Sequence, residues 1–162
     1  MDTKLVTKSF IGGLAGALVF LLLMHWLLNS AYAPFNITPV AAFVLTIGIP
    51  AIPWTTVVTF LFGAVMSVIL ALLYGPNLKA GNGLSLGISL WLIMMVGISP
   101  IIDWGVFGTG DAHFKEKEDT FYLAKGWIYP IATLVIHLIY GITVGLINRY
   151  WAIIHLFDDE ED

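Results

Sequence analysis

Between residues 9 and 78 the chain runs for seventy consecutive residues without an Asp, Glu, Lys or Arg. Lys79 interrupts, and further uncharged runs follow at 80–102 and 126–148. A helix that packs in water keeps a charged or polar face toward solvent. Uncharged stretches this long imply that the solvent is lipid. Composition agrees: of 162 residues, 59% are hydrophobic and 11% charged, and the mean hydropathy is +0.90. Three such blocks separated by short polar loops predict a polytopic membrane protein.

Spanning a hydrocarbon core takes about 20 residues at roughly 1.5 Å of rise each. Four segments qualify, at 10–28, 54–73, 84–102 and 127–147. Each must be helical, because an open sheet edge has no hydrogen-bond partner in lipid. The expected fold is therefore all-α: one domain over 1–157, a compact bundle of four transmembrane helices, followed by a solvated acidic tail at 158–162. Pro130 falls in the first turn of the fourth helix, where a missing N–H costs little. The linker 29–53 is apolar but broken by Pro34, Pro39, Pro50 and Pro53. Its middle, 40–49, is too short to cross and predicts an interfacial or re-entrant turn. Lys4 and Lys8, an apolar run and Ala31-Tyr32-Ala33 imitate a secretory signal. The run is long for one and Pro34 would follow the cut, so an uncleaved first helix is expected.

Basic residues set the expected orientation. With the N-terminus inside, Lys4, Lys8, Lys79 and Arg149 are cytoplasmic, while Lys115, Lys117 and Lys125 lie outside among five carboxylates. Both termini are then cytoplasmic. Trp26, Trp54, Trp104 and Trp127 all fall at the outer boundary, where an indole buries its ring and hydrates its N–H. Tyr74, Tyr150 and Trp151 mark the inner one.

Helices in lipid associate through close backbone approach rather than through burial alone. Each span carries small residues four apart: Gly12/Gly16, Gly63/Ser67, Gly83/Gly87 and Gly141/Gly145, with Gly13/Ala17 as a second pair on the first helix. Phe60-Leu61-Phe62-Gly63 is similar to Leu138-Ile139-Tyr140-Gly141, and Gly12-Gly13 pairs with Gly81-Asn82-Gly83. These matches suggest two hairpins in a parallel repeat, with chance similarity between apolar segments as the competing explanation.

A glycine-rich first helix, Gly48-Ile49-Pro50 ahead of a Trp-led second helix, and His137-Leu138-Ile139-Tyr140-Gly141-x-x-x-Gly145 in the last make up a broader pattern. The chain resembles small uncharacterised four-helix prokaryotic membrane proteins. The resemblance implies four helices and a prokaryotic cytoplasmic (inner) membrane, and assigns no functional residue.

Ionisable residues inside spans are costly, and so mark functional candidates. Here they are His25 and His137, with Asp103 at a boundary. The functional reading is ligation of a b-type haem, or a bond to a quinone carbonyl. Helical rise puts His25 roughly 22 Å and His137 about 15 Å above the inner edge, so paired axial ligation is uneven by about 7 Å. The structural reading is a neutral His137 bonded to a hydroxyl such as Thr133 or Tyr140. Asp103 either pairs with His25 or simply begins the outer loop. No cofactor is required by the sequence.

Several classes are excluded or weakened. Without cysteine there is no disulfide or thiolate metal site. Nothing is basic enough to hold nucleic acid. Asp111 and His113 are too few for a metal centre, and no catalytic triad, phosphate loop or zinc motif occurs. In the outer loop, Lys115-Glu116-Lys117-Glu118-Asp119 reads as a solvated face, and Gly105, Gly108 and Gly110 predict a flexible or tightly turned segment. The first functional expectation is a non-catalytic subunit packed by its glycine faces and apolar exterior against larger membrane-protein subunits, in a respiratory or photosynthetic electron-transfer assembly. The second is a haem- or quinone-binding protein using His137 and His25. The third is a small neutral-solute channel or carrier lined by Thr55, Thr56, Thr59, Ser67, Ser85 and Ser89.

Overall fold

A computed structural model of the protein describes residues 3–158, without the side chains of Thr3, Pro76, His113, Phe114 and 152–158. It is all-helical, with α1 (Thr3–Leu28), α2 (Pro39–Thr46), α3 (Ala51–Tyr74), α4 (Ala80–Ile93), α5 (Ser99–Ile101) and α6 (Ile128–Asp158). A π-helical turn, Met94–Ile98, joins α4 to α5. Four stretches are long and apolar enough to cross a membrane: Lys4–Leu28, Ala51–Tyr74, Ala80–Ile101 and Ile128–Trp151. They pack as a bundle whose apolar exterior suits a lipid bilayer. The spans outrun their uncharged cores, as a Lys or Arg at a span end can keep its backbone helical while its long side chain extends to the interface. Of the acidic tail, 159–162 lie outside the described residues.

The helix ends follow from local chemistry. Pro53 starts the regular part of α3, since Ile52 before it is extended (φ −106°, ψ 130°). Asn82 Oδ1 accepts from the Lys79 backbone N–H at 2.7 Å, capping α4. Pro100 cannot donate to the carbonyl four residues earlier. The backbone answers with the π-helical turn, in which the Ser99 N–H reaches the Met94 carbonyl.

Across the bundle the order is α3, α1, α6, α4: α1 packs on both α3 and α6, and α4 packs on α6. Two antiparallel hairpins result, each closed by glycine. A Cβ added at Gly13 would lie 2.5 Å from Ala64 Cα, and one at Gly83 2.2 Å from the Gly141 carbonyl oxygen. Gly87 meets the His137 carbonyl, Gly145 meets Gly83, Gly12 and Gly16 meet Ile147 and Val144, and Gly63 meets Ala17. The candidate packing glycines therefore meet neighbouring helices of this same chain. A parallel repeat closed by a two-fold would make the α1–α6 and α3–α4 interfaces equivalent. They are not: α1 and α6 pack closely, whereas α3 and α4 barely touch.

The end expected to face outward, the outer end, departs most from the sequence reading. Within 40–49 the chain is helical as far as Thr46 and turns at 47–48. Thr38 Oγ1 accepts from the Ala41 N–H and Pro39 opens α2, an N-terminal signal present in the sequence. Ala42 and Val44 are buried. The outer loop is likewise folded rather than loose. Trp104 is 0% exposed, stacks on Phe35 at 5.9 Å between ring centroids, meets Tyr129 edge-on, and donates through Nε1 to the Phe121 carbonyl. It is a core residue, unlike Trp26, Trp54 and Trp127, which are 69%, 49% and 72% exposed at that same end. Phe35 pairs with Leu123 in an isolated bridge, and Asn36 Nδ2 donates to the carbonyls of Lys117 and Asp119. The linker and the loop thus form one cap over the bundle.

Candidate functional site

Where α3 and α4 part, a cavity of about 230 Å³ opens. Its floor is Ala17 and Phe20 of α1 with His137 and Tyr140 of α6. One wall is Val58, Thr59, Phe62 and Gly63 of α3; the other is Leu90, Ile93, Met94 and Ile98, from α4 through the π-helical turn. Val40 and Phe43 of α2 roof its outer end. The cleft therefore extends from the outer cap to about the middle of the membrane spans, and its lining is almost wholly carbon.

His137 is the ionisable side chain on this lining, and it is 5% exposed. Its Nδ1 lies 2.7 Å from the Thr133 carbonyl oxygen, one helical turn earlier. A carbonyl accepts only, so Nδ1 carries the proton and donates. The partner is thus the Thr133 carbonyl rather than its hydroxyl, which donates to Tyr129. Phe20 packs edge-on against the imidazole at 5.0 Å. In the neutral ring Nε2 keeps a lone pair, and no described residue donates to it.

The other two polar groups on the lining are bonded to backbone. Tyr140 Oη donates to the Gly63 carbonyl at 3.0 Å, and Thr59 Oγ1 to the Thr55 carbonyl at 2.8 Å. The Tyr140 bond also ties α6 to α3 across the cleft floor. Trp91 Nε1 donates to the Pro130 carbonyl at 3.0 Å, and Ser99 Oγ lies 2.6 Å from Tyr129 Oη. Both bonds hold the α4–α5 wall against α6.

The structure does not bring the two histidines together. His25 is exposed, its Nε2 lies 3.2 Å from Asn29 Nδ2, and it does not line the cleft. His137 meets α1 at Phe20, five residues or roughly 7 Å short of His25. A bis-imidazole haem site is not assembled. The cleft is also smaller than the roughly 300 Å³ at which pockets for drug-sized ligands begin, too small to enclose a macrocycle. Asp103 is exposed at the loop's start with φ 70° and is not the partner of His25. Among the described residues no group of three or more His, Asp or Glu is placed to hold a metal. Of the hydroxyls considered for a polar path, those of Thr55, Thr59, Ser67, Ser85 and Ser89 donate to backbone carbonyls, and of the six residues Thr59 alone lines the cleft.

Sequence reasoning found His137 but not the cleft around it. Phe20 carries no signal that separates it from any apolar residue of α1. The Gly63–Tyr140 bond had only a weak one, a Tyr one turn from the small residues of a spanning helix. No protein-family model, curated protein or solved structure matches this chain.

Proposed function

We propose that this protein binds one end of an apolar molecule that enters sideways from the lipid between α3 and α4, with His137 as the polar determinant of the site. The observation that carries this reading is an almost all-carbon cleft holding one imidazole nitrogen that no described residue satisfies. Ligand sites pair apolar walls with a few placed polar groups, and polar residues at membrane depth mark binding paths. The cleft's size suits a headgroup or chain end, with the remainder of the molecule in the bilayer.

The distribution of basic residues supports an orientation with both termini cytoplasmic, and the resemblance to small prokaryotic membrane proteins supports a prokaryotic cell membrane. Packing as a subunit of a larger assembly rests on the apolar exterior alone, because the glycine faces meet inside the chain. Binding, not subunit packing, is therefore the function we put forward.

The test is purification from native membranes in mild detergent, followed by organic extraction and mass spectrometry. A stoichiometric apolar compound is expected in the natural chain and depleted in Val58→Trp, which fills the cleft from its lipid-facing side. Only bulk lipid, equal in both proteins, overturns the proposal. Stoichiometric recovery with larger redox subunits and no such compound favours the assembly reading.

A further inference from the structure

We infer that the cleft selects ligands that present a hydrogen-bond donor, namely the hydroxyl of an otherwise apolar alcohol or phenol, and rejects ligands that present only an acceptor. This rests on the binding site proposed above and names the class of molecule it takes.

Hydrogens decide the matter. Three polar side chains line the cleft, and each has its hydrogen committed to a backbone carbonyl: His137 Nδ1–H to Thr133, Tyr140 O–H to Gly63, and Thr59 O–H to Thr55. Each bond is 2.7 to 3.0 Å long. What these side chains have left are lone pairs: Nε2 of the imidazole, and the two hydroxyl oxygens. Backbone N–H groups along α3, α4 and α6 are engaged in their own helices, as membrane helices require. The side chains of the lining thus offer acceptors and no free donor.

An imidazolium would reverse this by adding a second N–H. No carboxylate lines the cleft to pair with it, and an unpaired charge at this depth is expensive. The other neutral tautomer would turn an Nδ1 lone pair toward the Thr133 carbonyl oxygen, 2.7 Å away, and lose that bond. The neutral tautomer with Nε2 as acceptor is the state the surroundings stabilise.

A ligand carbonyl, ether or ester oxygen would therefore meet lone pairs. A quinone carbonyl belongs to that class and finds no side-chain donor here, whereas the hydroxyl of a quinol finds Nε2. Aliphatic lipid alcohols satisfy the same acceptor. For a redox pair of this kind, the cleft holds the reduced member.

The experiment uses the full chain in nanodiscs and four photoreactive probes: a diazirine-bearing long-chain alcohol, its O-methyl ether, an alkylphenol and its anisole. Half-saturation of labelling at cleft residues, read by peptide mass spectrometry, is expected to be several-fold to about tenfold lower for each hydroxyl than for its methyl ether. His137→Phe keeps the walls apolar and is expected to bring that ratio to about one with ether labelling retained. His137→Gln adds an amide N–H and is expected to raise ether labelling toward that of the alcohol, which gives a second variant should the first not hold its helices by circular dichroism. Equal labelling by hydroxyl and ether in the natural chain overturns donor selection while leaving the cleft as a binding site. Labelling by no probe, or only on lipid-facing surfaces away from the cleft, overturns the site itself. A ratio unchanged in both variants overturns the role of His137. Within a supported outcome, preference for the phenol pair or the aliphatic pair identifies which source of hydroxyl the site favours.

Discussion

Near the inner end of α1, Ser67 Oγ donates to the Ser9 carbonyl at 2.7 Å and accepts from Asn148 Nδ2 at 2.8 Å. Asn148 also donates to the Val144 carbonyl at 3.0 Å. Three helices are tied in this way, yet Ser9 Oγ and Asn148 Oδ1 are buried with no hydrogen-bond partner. Ser9→Ala deletes an unsatisfied hydroxyl and is expected to leave stability unchanged or raised. Ser67→Ala removes two interhelical bonds and should cost about 1–3 kcal/mol, twice the roughly 0.6 (average) to 1.7 (maximum) found for one such bond in membrane bundles. Reversible denaturation in mixed micelles reads both; a larger loss for Ser9→Ala than for Ser67→Ala would contradict this account. That an Asn at the end of a spanning helix bonds a neighbouring carbonyl is as much as the sequence suggests. It could not show Ser9 and Ser67 meeting, because two serines on different helices carry no pairing signal until the helices are in register.

Glycines give the element scale its clearest contrast. In α4, Gly83 lies against the backbone of Gly141 and Gly145, while a Cβ at Gly81 would find nothing within 4 Å. Gly83→Leu is expected to force α4 off α6 and destabilise the bundle by several kcal/mol, beyond the usual 1–3 for overpacking, because the obstruction is backbone that cannot change rotamer. Gly81→Ala should be neutral or stabilising by up to about 1 kcal/mol through helix propensity. Thermal unfolding in detergent, followed by circular dichroism, separates the two. The four spans were legible from hydropathy alone, since a run of about 20 apolar residues has few other solutions in lipid. The π-helical turn was not. Pro100 announced some local departure from the helix but not its form, which depends on which carbonyl the Ser99 N–H reaches. Thr38-Pro39 did carry a helix-start signal for α2, masked by the prolines around it.

At the scale of the whole molecule, α1 and α6 form the middle of the bundle and the two hairpins part between α3 and α4. Hydropathy carries no information about which helix neighbours which, so the cleft could not be read from sequence even though its imidazole could. The outer cap was obscured for a related reason: an interfacial Trp and a buried Trp look alike until the loop folds over one of them. Absence of cysteine makes orientation directly measurable. With the N-terminus inside, Lys117→Cys is expected to react with a membrane-impermeant maleimide added outside intact cells, and Asn77→Cys only after the membrane is opened. The reverse pattern would invert the topology without altering the fold.

The roof of the cleft, α2, is held by the capping loop as well as by the spans. Asn36, two residues before Thr38, bonds the outer loop, and Phe35 stacks on Trp104 within it. For the binding proposed above, occupancy of the cleft and folding of the cap would be linked through α2. Whatever free energy a ligand gains from a well-seated roof, it returns as added stability of the cap, and the two effects must be equal in size. A molecule binding the loop at the outer surface would then alter affinity at mid-membrane without touching the ligand, and the ligand would alter that molecule's affinity by the same factor.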